Sequence, residues 1–138
     1  MKVDDSITRF ELVPYFHGRI LEISEGRTKA FPHFIWYQDV RINEPSDLSV
    51  FSDSAMDGVF SSNLLHLLSE DEVKTALKEW SRVVRCLGHI VVHVPESGGK
   101  WDTSCDGIAA LMDSVPRCWD MVDEQRLESG RLYAFMLT

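Results

Sequence analysis

Strand-like and helix-like runs alternate along these 138 residues in a way that predicts an open, mostly parallel α/β sheet, shortened and with an antiparallel C-terminal edge. Three observations carry that expectation. Residues 19–23 and 34–40 are two buried-strand runs joined by only residues 24–33, close to the shortest crossover two parallel strands allow. Residues 70–86 form an amphipathic helix pattern lying between the strand-like runs 57–62 and 89–94. Residues 118–122 and 131–137 are two further strand runs joined by a polar segment containing Gly130, the pattern of an antiparallel pair.

The elements follow in order. Residues 1–18 carry Phe10, Leu12, Val13, Tyr15 and Phe16 around Pro14 and read as a packed N-terminal arm of one single domain, 1–138. The first strand is Arg19-Ile20-Leu21-Glu22-Ile23, and the second ends in Gln38-Asp39-Val40. A strand, a turn, a second strand and a terminal acid is the layout of a nucleotide site in an open α/β sheet. The turn here holds Gly26 alone. Residues 43–47 are a loop by composition, and 47–56 read as irregular chain with Leu48, Val50 and Phe51 turned inward.

The long helix begins at Ser69, whose pairing with Glu72 is a capping box; Asp71 adds charge that suits a helix N-terminus. Val73, Ala76, Leu77, Trp80, Val83 and Val84 share one apolar face, Arg82 and Arg85 lie in the last turns, and Gly88 is placed to stop the helix. The strand 89–94 ends at Pro95, with Val91 and Val92 on opposite faces. After the Gly98-Gly99 loop leading to Trp101, which reads as a lid, residues 104–114 form a shorter helix with Ile108, Leu111 and Met112 on one side.

Composition excludes several functions. A formal charge of −8 argues against a phosphate-backbone partner, so no nucleic acid is expected. No apolar run approaches the roughly 18 residues that span a bilayer, and acids occupy the N-terminus, so neither membrane insertion nor a leader is expected. Cys86, Cys105 and Cys118 form no CxxC pair and read as reduced, partly buried thiols of a cytoplasmic protein. None stands in a motif with a histidine, and no nucleophile elbow or phosphate-binding loop is present. His89 and His93 share a strand face but make no metal site, and His17 and His33 are too scattered to join them.

Residues 18–96 resemble the class I S-adenosylmethionine-dependent methyltransferases, specifically small members associated with polysaccharide and lipopolysaccharide biosynthesis. The stretch Phe51-Ser52-Asp53-Ser54-Ala55-Met56-Asp57-Gly58-Val59-Phe60-Ser61-Ser62-Asn63-Leu64-Leu65-His66-Leu67 is similar to the family's approach to its fourth strand. Residues 77–95 are similar to its next helix and fifth strand, with one glycine, Gly88, where the family commonly has two. The resemblance implies a Rossmann-like fold, an S-adenosylmethionine cofactor and a small hydroxylated acceptor such as a sugar or nucleotide-sugar. It implies cofactor contacts at Glu22, Ser24, Gly26, Asp39, Val40, Asp47, Leu48 and Asn63, with Glu22 on the methionine amino group and Asp39 on the ribose. His66 is its candidate proton acceptor.

The departures fall in the turn after the first strand, where Ser24 and Glu25 replace residues that are commonly Gly and Cys. They support an alternative: a catalytically degenerate member acting as a binding or assembly subunit. A protein partner in a homo- or hetero-oligomer would then cover an exposed apolar sheet face.

Overall fold

The computed structural model describes residues 18–24, 35–39, 48–96, 99–128 and 130–138. The expected N-terminal arm lies outside them, apart from Gly18. Six strands form one sheet: β1 (Ile20–Ser24), β2 (Ile35–Asp39), β3 (Met56–Ser62), β4 (Val84–Val94), β5 (Trp119–Leu127) and β6 (Gly130–Leu137). Two helices, α1 (Glu70–Val83) and α2 (Cys105–Met112), and a 3-10 turn at Leu65–Leu67 complete the described elements. The lateral order is β2-β1-β3-β4-β6-β5. β1 pairs in parallel with β2 and β3, and β3 in parallel with β4, whereas β6 is antiparallel to both β4 and β5. Only β6 therefore runs against the others, as the strand pattern predicts for the C-terminal edge.

Both helices pack on one face of this sheet. Leu21 and Ile23 of β1, Val59 of β3, Ile90, Val92 and Val94 of β4, and Tyr133, Phe135 and Leu137 of β6 meet Val73, Leu77, Trp80, Ile108 and Met112 in one core. The alternate residues Ile20, Phe60, Val91, Leu132 and Ala134 are buried as well, as are Glu22, Ser62 and His93 among them. The central strands β1, β3 and β4 are thus largely buried on both faces among the described residues. The exposed large apolar residues there are Val50, Leu67, Leu87 and Val122, scattered over four separate segments. Val50 is thus a correction to the expected inward triplet, because it sits in a turn; Leu48 is fully buried and Phe51 packs against the core. No described helix is long and apolar enough to cross a membrane.

The capping box of α1 is formed in both directions. The Glu72 N–H donates to Ser69 Oγ at 3.2 Å, and the Ser69 N–H donates to Glu72 Oε1 at 2.9 Å. The helix ends at Val83, three residues before the expected boundary, because Val84 already has extended backbone (φ −87°, ψ 134°). Arg117 reaches in from a distant segment and donates to the carbonyls of Ser81 (2.7 Å) and Val84 (2.5 Å), so two terminal acceptors find partners outside the helix. Sequence periodicity carries no sign of that contact.

Residues 85–88 then form a bulge in β4: between the partners Met56–Val84 and Gly58–His89, β4 gains residues that β3 lacks. Arg85 belongs to this bulge and not to the helix, and its Nε donates to Asp57 Oδ1 at 2.5 Å. The second carboxylate oxygen of Asp57 accepts the Arg19 N–H at 2.7 Å, tying β1, β3 and the bulge together. Cys86, expected half-buried in a helical turn, is exposed here, and Cys118 is exposed as well. Gly88 serves close packing, since a Cβ there would lie 2.6 Å from both the Asp57 carbonyl oxygen and Val84 Cγ1.

α2 is shorter than expected, 105–112 instead of 104–114, with Ser104 as its cap. β5 is longer: its polar residues Asp123 to Arg126 also pair with β6. An edge strand with a solvent-facing side accepts polar residues, so the polar run does not read as a strand in sequence although it forms one.

Three outcomes follow. Ser69→Ala should destabilise the protein by about 1 kcal/mol in urea denaturation at neutral pH. The hydrogen bonds from Ser69 hold the Glu72 carboxyl below its ordinary value, so its contribution is present above the unfolded-state pKa and fades as pH falls through the lowered folded value. A Glu72→Gln variant should therefore differ from the parent at pH 7 and converge with it at pH 3; an undiminished gap at pH 3 would refute the assignment. Gly88→Ala should cost about 2 kcal/mol by overpacking backbone that cannot retreat, measured as a fall in the denaturation midpoint.

Candidate functional site

The chain leaves β1 to build β2 on one side, then returns to place β3 on the other side of β1. In an open α/β sheet, the crevice beyond the carboxyl ends of two strands whose connections diverge is where ligands bind. Here that point lies between β1 and β3. The ends of β1, β2, β3 and β4 at this edge are Ser24, Asp39, Ser62 and Val94.

The register assembles several candidates and separates others. Ser24 and Asp39 are direct Cα partners in the β1–β2 ladder, so the serine and the acid stand side by side at the edge. Glu22 lies two residues further in, opposite Phe60 of β3, and is 2% exposed. Asn63 follows β3 in the left-handed region (φ 57°), a conformation that asparagine tolerates better than most residues, and its N–H donates to the His93 carbonyl at 3.0 Å. His66 lies in the 3-10 turn just beyond, and its carbonyl accepts the Lys100 N–H at 3.0 Å. Gly26, Val40 and Asp47 are outside the described residues.

Leu48 is the exception. It packs in the core on the helix side, and its carbonyl accepts Arg82 Nη2 at 3.0 Å, in the last turn of α1. The N–H of Ser54 donates to the Arg82 carbonyl just before β3 begins, so Leu48 sits where β3 and β4 start, at the opposite edge from Asp39. The structure does not bring Leu48 to a ligand at the carboxyl edge, because chain that departs from the end of β2 must cross the sheet to begin β3.

The turn substitution reads differently in three dimensions. Ser24 is the last residue of β1, in extended backbone that any residue adopts, so no positive φ is demanded there. The Gly99–Trp101 segment is not a free lid. Trp101 is buried and its indole Nε1 donates to the Leu65 carbonyl at 2.8 Å, clamping this segment onto the turn that carries His66.

The edge also contains a pair absent from the predicted set. Ser62 Oγ and His93 Nδ1 are 3.1 Å apart and both residues are buried. They are direct partners in the β3–β4 ladder. Both lie in runs legible as strands, but only the cross-strand register shows that they meet. Of the cysteines, Cys105 is the one not exposed, and burial, with the Glu124 and Asp106 carboxylates nearby, pushes its thiol up and away from nucleophilic reactivity. No set of three His, Cys, Asp or Glu side chains among the described residues is placed to hold a metal ion.

Solved structures share this architecture. The chain resembles the Burkholderia thailandensis 1,6-didemethyltoxoflavin-N1-methyltransferase, solved with 1,6-didemethyltoxoflavin and S-adenosylhomocysteine, at TM-score 0.70 and 17% identity over 93% of this chain and 74% of that one. It is similar to the N-methyltransferase NodS of Bradyrhizobium japonicum at TM-score 0.64 and 12% identity, covering 94% and 90% of the two chains. A SAM-dependent methyltransferase of Archaeoglobus fulgidus aligns at TM-score 0.61 and 11% identity over 93% and 90%. At these identities the likeness is one of fold. Among curated proteins, none matches the sequence. The sequence pattern of the family described as methyltransferase domain matches residues 17–92, more than half of the chain, and this protein belongs to that family.

Proposed function

We propose that this chain is an S-adenosylmethionine-dependent methyltransferase acting on a small hydroxylated acceptor such as a sugar or nucleotide-sugar. The observation that carries the reading is the position of Asp39: an acid ending β2, in register with Ser24 of β1, beside the switch point between β1 and β3. Family membership supports it, as does the bound S-adenosylhomocysteine of the Burkholderia relative.

The chemistry of the residues fits the cofactor. A ribose diol offers two hydroxyl donors and the methionyl end an ammonium, and the edge supplies the acids Asp39 and Glu22, which accept when ionised. Asp39 would hold the ribose and Glu22 the ammonium, with Ser24 and Asn63 at the ends of β1 and β3 beside them. S-adenosylmethionine brings a methyl group on a positively charged sulfur, so the protein's contribution is alignment and exclusion of water. His66, on the turn after β3, would take the proton that a hydroxyl acceptor must lose. The bond from Trp101 to Leu65 would hold that turn in place.

Calorimetric titration tests the cofactor site. S-adenosylmethionine and S-adenosylhomocysteine should each bind saturably, and Asp39→Ala should weaken both by at least about tenfold, the loss expected for hydrogen bonds to a charged acceptor. No heat and no thermal shift at millimolar ligand would favour the degenerate alternative. With labelled cofactor and a panel of sugars and nucleotide-sugars, His66→Gln should reduce turnover about 100-fold while leaving cofactor affinity unchanged. Equal turnover in the variant would remove His66 from the mechanism.

A further inference from the structure

β3 parts from β1 before it parts from β4. The ladder between β1 and β3 ends at Glu22 and Phe60, whereas that between β3 and β4 runs on to Ser62 and His93. One more bond extends it, from the Asn63 N–H to the His93 carbonyl at 3.0 Å. His93 therefore grips the departing strand twice. Its ring Nδ1 shares a hydrogen bond of 3.1 Å with Ser62 Oγ, and its carbonyl takes the next amide.

The row in which this pair lies belongs to the candidate site. Side chains two apart along a strand share a face, so Ser62 and His93 continue the row of Phe60 and Val91 toward the carboxyl edge. Two residues beyond Glu22, the partner of Phe60 on β1, stands Ser24, itself paired with Asp39. Ser62 and His93 are thus level with Ser24 and Asp39, on the other side of the switch point. Nearer the amino edge the same face is closed by the apolar Ile20, Phe60 and Val91. A buried polar pair carries a desolvation cost that apolar side chains of similar shape avoid, so packing alone does not call for it.

Ser62 leads directly into the turn that carries Asn63 and His66. Asn63 takes the left-handed backbone, and the turn closes on itself through the Leu67 and Leu68 amides on the Leu64 and Leu65 carbonyls, at 2.9 and 3.1 Å. A turn closed in this way is placed by what holds its ends and sides. Lys100 and Trp101 hold its far side, and His93 holds its origin. We propose that His93 is a positioning residue for methyl transfer, acting through the Ser62 hydroxyl and the Asn63 amide to set where the Asn63–His66 turn stands against Ser24 and Asp39. This role rests on the cofactor reading above, because a ligand spanning the switch point is what feels the placement.

Calorimetric titration with S-adenosylhomocysteine and amide hydrogen exchange of the free protein test this together. His93→Leu and Ser62→Ala each remove the ring-to-hydroxyl bond and leave the His93 carbonyl in place. Each should weaken the ligand about fivefold, and the double variant should lose no more than either alone. His93→Asn should bind within about twofold of the parent, because its amide hangs from Cγ as Nδ1 does and can donate or accept. In the free protein the Asn63 amide should exchange about fivefold faster in the Leu and Ala variants, with α1 amides unchanged and His93→Asn like the parent. A histidine that merely filled space would be replaced by leucine better than by asparagine. Ser62→Ala, the smaller change, carries the comparison if His93→Leu does not fold. Unchanged affinity and exchange in the single variants, additive losses, or no rescue by asparagine would overturn the proposal. Absence of binding by the parent would instead remove the cofactor reading, and the exchange rates then decide whether His93 holds the turn.

Discussion

β1 is hydrogen-bonded on both flanks by strands running its own way, and the rest of the sheet is arranged around that fact. A strand in this position has no solvent-facing edge, and parallel neighbours on both sides require crossovers that carry chain over the sheet faces. Ile20, Leu21 and Ile23 are accordingly all buried, whichever face they point to. The same arrangement creates the one place where connections diverge. That point lies at the carboxyl ends of β1 and β3, and the ladder places Asp39 beside Ser24 by register and not by proximity in sequence.

The amino edge does the holding. Asp57 joins the start of β1 to the bulge of β4 through the Arg19 amide and the Arg85 side chain, and Arg117 closes the end of α1. These contacts lie where the strands begin, at the edge opposite Ser24 and Asp39. Glu22 is a carboxyl buried within the central strand, two residues from its carboxyl end.

The resemblance nominates residues by their place in a motif, whereas the ladder shows which of them are neighbours. Ser24 and Asp39 are ladder partners, while Leu48, which follows the second strand closely in sequence, lies where the third strand begins. The ladder adds Ser62 and His93, which no motif singles out.

The sequence by itself determined the alternation of elements, the capping box of α1, the face carrying Val73, Leu77 and Trp80, the antiparallel C-terminal pair and the acid closing the second strand. Each of these is a local pattern, decided within a few turns or pleats of the chain. Tertiary structure alone decided what depends on distant partners. Arg117 meets the Ser81 and Val84 carbonyls where α1 gives way to β4, and the polar half of β5 is a strand because β6 pairs with it. Trp101 is a clamp because the Leu65 carbonyl faces it, and Ser62 meets His93 because two parallel strands share a register. Hydrogen-bond partners separated by thirty residues leave no periodic trace in a sequence, so they became visible only once the chain was folded.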